Sequence, residues 1–191
     1  MTIAALKQEL RVRALERRAA LKERAPELSR KLAGVFLDRI PIPAGAVVSA
    51  YIAIGEEADP SPLLEALRAR GHAIALPRVV GRGKPLDFHL YEAGAALVPG
   101  GFGLSEPGRD WPKRDPDVLV LPLLAFDASG YRIGYGAGFY DRTLSKLRAE
   151  RDVLAVGYAF SVQEFPDLPH DDYDERLDWV VTENGARKFE R

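Results

Sequence analysis

The segment from residue 121 to residue 144, LPLLAFDASGYRIGYGAGFYDRTL, holds the densest group of residues able to bind a ligand. Glycines recur there at every second position, at Gly134, Gly136 and Gly138. Backbone without side chains can approach a ligand closely and point several N–H groups at it. A helix predicted to begin near Phe139 would add its positive N-terminal end. The spacing therefore indicates a phosphate-binding loop, although a tight connection between two elements produces the same pattern.

Charged residues on both sides of the glycines help to distinguish a phosphate-binding loop from a tight connection. Arg132, just ahead of them, can make a bidentate contact with a phosphate. Asp141, just behind them, can hold a magnesium ion. The loop matches neither familiar phosphate motif, because it lacks G-x-x-x-x-G-K-[ST] and reads G-x-G-x-G instead of G-x-G-x-x-G. The residues alone leave both phosphate binding and a structural turn open.

Three further groups of charged residues are candidates for the same site. A basic stripe on the predicted N-terminal helix is by default a solvated face, although Lys7 and Arg11 can lean toward a site at the sheet edge. Glu56 and Glu57 directly follow a predicted strand, where they either meet a ligand or are exposed loop acids. An acidic cluster either completes a magnesium site with Asp141 or forms a charged loop. The stripe comprises Lys7, Arg11, Arg18 and Lys22, and the cluster comprises Asp171, Asp172, Asp174 and Glu175.

Hydrophobic patterning predicts the elements that position these residues. Helical spacing over residues 2–24 and after Pro26 predicts two N-terminal helices, and short apolar runs predict buried strands. Pro77 is expected to end the second strand. Strand and helix patterns alternate, which predicts one α/β domain with a mostly parallel sheet over residues 1–191. The predicted strands cover residues 46–54, 73–76, 86–91, 118–122, 153–160 and 178–182, the last in the chain, and further helices cover residues 60–70 and the segment after residue 138.

Composition disfavours several classes of protein. The 191 residues carry 27 basic and 28 acidic side chains, for a net charge of −1, so a broad nucleic-acid-binding surface is not expected. Cysteine is absent, which excludes disulfides, a thiolate zinc site and a cysteine nucleophile. No apolar run approaches the ~20 residues of a membrane span, and the N-terminus lacks a signal-peptide core. We therefore expect a cytoplasmic chain that binds neither nucleic acid nor membrane, and we expect it to be a monomer.

Residues 121–144 resemble the hallmark of the 5-formyltetrahydrofolate cyclo-ligase family, also called 5,10-methenyltetrahydrofolate synthetase. That hallmark is a proline-ended strand, AFD, a turn, R-[LI]-G-x-G-x-G-[YF]-Y-D and a helix. Two positions depart from the family's usual loop, because Ala137 replaces a glycine, and Phe139 replaces a tyrosine and so lacks its hydroxyl. Other family elements stand in the same order, namely K-x-x-L-R at residues 7–11, E-x-D at residues 57–59, F-G-x-x-E-P at residues 102–107 and the tail HDDYDERLDWVVTE.

This resemblance implies a three-layer α/β fold of the sugar-isomerase and CoA-transferase-like type. It also implies ATP- and Mg²⁺-dependent closure of 5-formyltetrahydrofolate to 5,10-methenyltetrahydrofolate, with release of ADP and phosphate. Lys7, Glu57 and Arg132 are implied to act in catalysis, and Asp141 and Asp174 to bind magnesium. The implied ATP contacts are Lys7, Gln8, Glu9, Leu10, Arg11, Arg132, Ile133, Gly134, Tyr135, Gly136, Ala137, Gly138, Phe139 and Tyr140. The implied folate contacts are Ile52, Glu57, Tyr135, Gly136, Ala137, Gly138 and Phe139.

Three other functions are alternatives to that of a cyclo-ligase. The first is a non-catalytic module that binds nucleotide or folate on the same scaffold. The second is another enzyme of the sugar-isomerase-like group, which acts on a phosphorylated substrate without ATP. The third is an RNA-binding protein that uses the basic N-terminal helix, which the balanced charge disfavours. Formation of a methenyl product together with ADP distinguishes the cyclo-ligase from all three.

Overall fold

A seven-stranded sheet forms the centre of the computed structural model, which describes residues 2–190, with the backbone alone at position 102. Its strands are β1 (Val47–Ser49), β2 (Ala73–Arg78), β3 (Asp87–Leu90), β6 (Val118–Leu121), β9 (Leu154–Tyr158), β10 (Trp179–Thr182) and β11 (Gly185–Lys188). Their spatial order is β11-β10-β9-β6-β1-β2-β3. The inner strands β2, β1, β6, β9 and β10 are parallel, and the edge strands β3 and β11 are antiparallel.

Four helices and two small hairpins complete the described chain. Thr2 caps α1, because its hydroxyl accepts a hydrogen bond from the Ala5 amide at 3.3 Å. Pro26 lies in the first turn of α2, where its missing N–H costs nothing. The helices are α1 (Ile3–Ala19), α2 (Ala25–Arg39), α3 (Ser61–Ala69) and α4 (Phe139–Glu150). The hairpins pair β4 (Val98–Pro99) with β5 (Ser105–Glu106), and β7 (Ala125–Phe126) with β8 (Arg132–Ile133).

The sheet is buried on both faces, which gives the three layers that the family resemblance implies. Alternate residues of the strands point to opposite faces. One face, including Val48 and Val120, packs against α2 and α3. The opposite face, including Leu119 and Leu121, packs against α4. Helix α1 lies outside these layers and packs through Ala14 on the β7–β8 hairpin. Among the helices of residues 2–190, none combines the length and the apolar character that a membrane crossing needs.

The predicted elements are mostly confirmed, with corrections at their ends. The first predicted helix is shorter than expected, because α1 ends at Ala19 and turns follow it. The strand predicted over residues 46–54 contains only Val47–Ser49, because pairing with its neighbours stops there. Pro77 does not end β2, since it pairs with β3 beyond the point where β1 has left the sheet. The strand predicted as the last is followed by β11, which forms a hairpin with it.

Candidate active site

The glycine loop, residues 134–138, lies between the β7–β8 hairpin and α4. Strand β6 ends at Leu121, so the hairpin and loop follow the carboxyl end of a central parallel strand, where α/β proteins bind ligands. Gly136 and Gly138 have φ angles of +98° and +66°, a region that other residues rarely adopt. Arg142 of α4 donates to the carbonyl of Ala137 at 2.9 Å. The loop is therefore a fixed turn at the N-terminus of α4.

Helix α1 holds the loop from its other side. Arg11 Nε donates to the Gly134 carbonyl at 2.9 Å, and Arg11 Nη1 donates to Gln8 Oε1 at 3.2 Å. A Cβ atom at Gly136 would lie 3.1 Å from Arg11 Nη2. The predicted ATP-binding arginine of α1 thus contacts the predicted phosphate loop directly, although the two are far apart in the chain.

Arg132 and Asp141, which flank the loop, form an ion pair with each other. Arg132 Nη2 lies 2.7 Å from Asp141 Oδ1, and Arg132 Nη1 donates to the carbonyl of Glu175. The Arg132 side chain is only 5% exposed, and this burial lowers the pKa of its guanidinium. In this arrangement Arg132 neutralises the carboxylate predicted to bind magnesium.

Lys7 pairs with the second predicted magnesium ligand. Its ammonium lies 2.5 Å from Asp174 Oδ2 and 3.3 Å from Asp171. The backbone amide of Glu175, the residue after Asp174, donates to Asp141 Oδ1 at 3.2 Å. The acidic cluster and α4 therefore bring Asp174 and Asp141 to one region, beside Lys7 of α1 and Arg132 of β8.

A magnesium ion fits this donor set only if a ligand supplies further oxygens. Mg²⁺ is commonly held by one or two carboxylates, water and substrate phosphates. Within residues 2–190 no group of three or more His, Asp or Glu side chains is arranged to hold a metal by itself. The pair formed by Asp141 and Asp174 thus suits a metal that arrives with a phosphate.

Glu57 is buried at the carboxyl end of β1, close to the glycine loop. Its side chain accepts a hydrogen bond from the Ile54 amide at 2.9 Å, and the residue is 6% exposed. Burial raises the pKa of Glu57, while hydrogen bonds from Ile54 and the Tyr135 hydroxyl and the charge of Arg18 oppose that rise. A carboxylate buried at the carboxyl edge of a parallel sheet is a candidate for contact with a polar ligand group. The preceding residue, Glu56, is only half-buried.

Arg18 is a site residue that the sequence analysis did not identify, because it was grouped with the solvated stripe. It is 3% exposed, and its Nη2 donates to the Tyr135 hydroxyl at 2.9 Å. Burial and the nearby Glu57 charge raise the pKa of Tyr135 to about 12, so its hydroxyl stays protonated at neutral pH. The signal in the sequence was Ala14, a small apolar residue one turn earlier on the same face of α1.

Arg148, a second arginine that was not predicted, holds the acidic cluster in place. Arg148 of α4 lies seven residues after Asp141, and therefore on the same face of the helix. Its Nη1 donates to Glu175 Oε2 at 2.7 Å and its Nη2 to the carbonyl of Arg176 at 2.8 Å. Since Glu175 also contacts Asp141 and Arg132 through its backbone, Arg148 supports both charged residues that flank the glycine loop.

The remaining predicted contacts divide between surface and core. Gln8 and Glu9 are exposed on α1, and Ile52 is 38% exposed on the segment after β1. Leu10 and Ile133 pack in the small core beneath α1, so their side chains face away from a ligand at the loop. Phe139 and Tyr140 are half-buried against the α4 side of the sheet, and Ala137 is exposed in the loop.

Two further motif elements have structural roles here. Asp59, from the E-x-D element, accepts hydrogen bonds from the amide and hydroxyl of Ser61 at the start of α3. Glu106, from the F-G-x-x-E-P element, is 2% exposed and accepts from the amides of Val79 and Gly101 at 3.1 and 3.3 Å. Glu106 thus fixes the 98–106 hairpin to the end of β2.

These features define an α/β protein whose glycine loop, basic residues and paired carboxylates meet at the carboxyl edge of a parallel sheet. The model of the 5-formyltetrahydrofolate cyclo-ligase family matches residues 3–183, and the chain belongs to that family. A 5-formyltetrahydrofolate cyclo-ligase of Mycolicibacterium smegmatis is 36% identical over 174 residues, covering 86% of this chain and 89% of the relative. One from Escherichia coli is 34% identical over 172 residues, covering 87% and 93%.

A solved structure agrees with this assignment. The NMR structure of the Aquifex aeolicus 5,10-methenyltetrahydrofolate synthetase is 32% identical and superposes with a TM-score of 0.82. The similarity covers 97% of this chain and 94% of that protein. The mostly parallel α/β fold and the family resemblance drawn from residues 121–144 are both confirmed.

Proposed function

We propose that this chain converts 5-formyltetrahydrofolate to 5,10-methenyltetrahydrofolate with ATP, releasing ADP and phosphate. Family membership over residues 3–183 supports the reaction. One structural observation supports its location, namely that Arg11 contacts the glycine loop while Arg132 and Lys7 pair with two carboxylates beside it. A triphosphate needs clustered cations and backbone amides, and both are present at this edge of the sheet.

The nucleotide is proposed to bind between α1 and the loop. Residues 7–11 and Arg132 would contact ATP together with residues 133–140, as the family resemblance implies. Lys7, Arg11 and Arg132 are placed to neutralise charge that develops on the transferred phosphoryl group and on ADP. The positive end of α4 lies directly after the loop and adds to the same field.

Asp141 and Asp174 are the residues proposed to hold magnesium. When bound, the metal would neutralise phosphate charge and orient the γ-phosphate. Each acid has a cationic partner on one of its oxygens, since Arg132 contacts Asp141 Oδ1 and Lys7 contacts Asp174 Oδ2. A metal would add further positive charge to these pairs, and the phosphate oxygens that arrive with it would offset that charge.

Glu57 is proposed to contact folate, with Ile52 and residues 135–139 forming the rest of that surface. An ionised Glu57 accepts hydrogen bonds from the donor edge of the pterin, or accepts the proton of N10 as that nitrogen attacks. Both roles need the charged carboxylate, which the Ile54 amide stabilises at 2.9 Å.

The proposed reaction needs positioning more than acid–base catalysis. The formyl oxygen attacks the γ-phosphorus, a P–O bond forms, and the bond to ADP breaks. N10 then attacks the activated formyl carbon, the C–O bond to phosphate breaks, and N10 loses its proton. Holding the formyl oxygen against the γ-phosphate can supply about 7–11 kcal/mol of the barrier. The absence of cysteine agrees with this scheme.

We propose that residues 1–191 fold as one domain and that the chain acts as a monomer in the cytoplasm, on small-molecule substrates. The continuous seven-stranded sheet, which joins β1 and β11, supports the single domain. A mass near 21.0 kDa by light scattering would support the monomer, and a mass of twice that value would contradict it.

One assay tests the proposed function. Protein, MgATP and 5-formyltetrahydrofolate are mixed, and methenyl absorbance and ADP are followed together, with each component omitted in turn. We expect one ADP for each methenyl group formed and no product without ATP. Binding of both ligands with no product would instead identify the non-catalytic module, and product without ATP would contradict the proposed reaction.

A further inference from the structure

Arg18 is a buried cation at the candidate site. It is 3% exposed, and within residues 2–190 its Nε and Nη1 atoms have no hydrogen-bond partner. Arginine remains protonated in proteins, and a buried charge is costly unless an opposite charge lies near it. Its position on α1 therefore requires a counter-charge, which points to a role beyond packing.

Glu57 is the counter-charge, and Tyr135 connects the two. Arg18 Nη2 donates to the Tyr135 hydroxyl at 2.9 Å. The Tyr135 hydroxyl and the Glu57 carboxylate lie close enough that each shifts the pKa of the other. Glu57 Oε2 also accepts from the Ile54 amide, which anchors the carboxylate to the segment after β1. Helix α1, the glycine loop and the end of β1 each supply one member of this chain of contacts.

We propose that Arg18 is a positioning residue, which acts through the Tyr135 hydroxyl to hold the glycine loop against Glu57 and to keep the Glu57 carboxylate charged for folate. This inference rests on the proposed function, because it assigns Glu57 to the folate side of the site. It adds a residue of α1 that lies outside the 7–11 segment proposed to bind ATP.

The electrostatics around Glu57 support this role. The titratable and charged groups that face it are Arg18, Tyr135, Tyr51 and Tyr140, and Arg18 is the one positive charge among them. Burial raises the pKa of Glu57, and the Arg18 charge and the Tyr135 hydroxyl both lower it. Loss of either partner therefore leaves Glu57 protonated up to a higher pH.

The contact between Arg18 and Tyr135 also holds the glycine loop. Tyr135 is 48% exposed and lies next to Gly136, where the φ angle of +98° already restricts the backbone. Its hydroxyl contact with Arg18 fixes the side of the loop that faces Glu57. Without that contact Tyr135 is free to leave Glu57, so folate binding should weaken more than nucleotide binding.

The experiment compares Arg18→Met, Arg18→Lys and Tyr135→Phe with the parent chain, and uses Arg17→Met as the matched control. Arg17 is on the same turn of α1 but is exposed and contacts the carbonyls of Val162 and Glu164. Affinity for 5-formyltetrahydrofolate is measured by calorimetry between pH 5.5 and 8.5, and turnover is measured over the same range. Thermal melts verify that each variant is folded.

We expect Arg18→Met and Tyr135→Phe to weaken folate binding by about 10-fold, a typical loss for a hydrogen bond to a charged group. The KM for ATP should change less, and the acidic limb of both pH profiles should move to higher pH. Arg18→Lys should restore part of the affinity, and Arg17→Met should match the parent. In a Glu57→Gln background, Arg18→Lys should have no further effect on the pH profile.

Unshifted pH profiles in folded Arg18→Met and Tyr135→Phe would overturn the proposal, as would equal effects on ATP and folate. Tyr135→Phe keeps the proposal testable if Arg18→Met does not fold, because it removes only a hydroxyl from a half-exposed side chain. The calorimetric measurement of folate affinity does not depend on turnover. If the parent binds folate but forms no methenyl product, the proposed function fails while the inference on Arg18 is still decided by the binding profiles.

Discussion

Asp141 and Asp174 each have a cationic partner before any ligand binds. Arg132 neutralises Asp141 at 2.7 Å, and Lys7 neutralises Asp174 at 2.5 Å. A metal bound alone would add positive charge beside these cations, which is costly in a partly buried site. A metal that arrives with a triphosphate brings negative oxygens that offset this charge. We therefore expect magnesium and nucleotide to bind more tightly together than either does alone.

The substitution Asp141→Asn tests metal binding. The amide is a weaker ligand for magnesium, and Arg132 loses its carboxylate partner, so the magnesium concentration needed for half-maximal turnover should rise about 10-fold or more. Asp172→Asn is the matched control, since Asp172 belongs to the acidic cluster but is exposed. A magnesium titration of Asp141→Asn that matches those of the parent and the control would contradict metal ligation by Asp141.

The glycine loop depends on two helices that approach it from opposite sides. Arg11 of α1 donates to the carbonyl of Gly134, and Arg142 of α4 donates to the carbonyl of Ala137. The hairpin ahead of the loop is fixed in turn by Asp127, which accepts from the amides of Ser129 and Tyr131 at 2.9 and 3.0 Å. The loop is thus held in shape before a ligand arrives, which reduces the ordering cost of binding.

The substitution Gly136→Ala tests this preorganisation. A Cβ atom at φ +98° is strained by roughly 1–2 kcal/mol, and here it would also approach Arg11 Nη2 to 3.1 Å. We expect affinity for a non-hydrolysable ATP analogue to fall by about 10-fold. Gly34→Ala is the control, because it lies in α2 with open space and should leave binding unchanged. Equal affinities in the two variants would show that the loop shape is not needed.

Sequence patterning predicted the type of nearly every large element but not where each one ends. Residues 46–54 have little polar content, so the pattern could not show that β1 pairs only over Val47–Ser49. Pro77 was expected to end β2 because proline lacks an amide, yet β1 has already left that side of β2. In both cases the end of a strand is set by its neighbours, which lie elsewhere in the sequence.

The same limit explains which site residues could be predicted. The glycines, Arg132 and Asp141 are adjacent in sequence, and their spacing alone indicated a site. Arg18 became part of that site only because α1 packs over the β7–β8 hairpin, more than 100 residues away. Periodicity placed Arg18 on a basic stripe, and the one local sign that this member is buried is Ala14, a small apolar residue one turn earlier on the same face.

The charge on Glu57 should make the stability of the whole chain depend on pH. Its folded pKa lies above the unfolded value, so its contribution to stability is greatest in acid and declines as pH rises through the folded pKa. Glu57→Gln removes this titration, and it also leaves Arg18 without its counter-charge. We therefore expect the melting temperature of the variant, relative to the parent, to rise by a few degrees between pH 4 and pH 8, given ~2–4 °C per kcal/mol for a chain of this size.

Turnover by Glu57→Gln should fall as well. The half-buried neighbour supplies a control, because Glu56→Gln makes the same chemical change on the same segment and should alter turnover and the pH dependence of melting less. Melting temperatures at pH 4 and pH 8, and initial rates at pH 8, measure both effects. A Glu57→Gln variant whose melting temperature relative to the parent does not rise with pH, or that turns over normally, would be inconsistent with a buried functional carboxylate.

The proposed nucleotide site is best tested by a crystal structure of the chain with magnesium and a non-hydrolysable ATP analogue. We expect the triphosphate along the amides of residues 134–138, with Arg11 and Lys7 on its oxygens and the metal held by Asp141 and Asp174. A nucleotide bound elsewhere, with the Lys7–Asp174 and Arg132–Asp141 pairs intact and the loop amides turned to solvent, would contradict it.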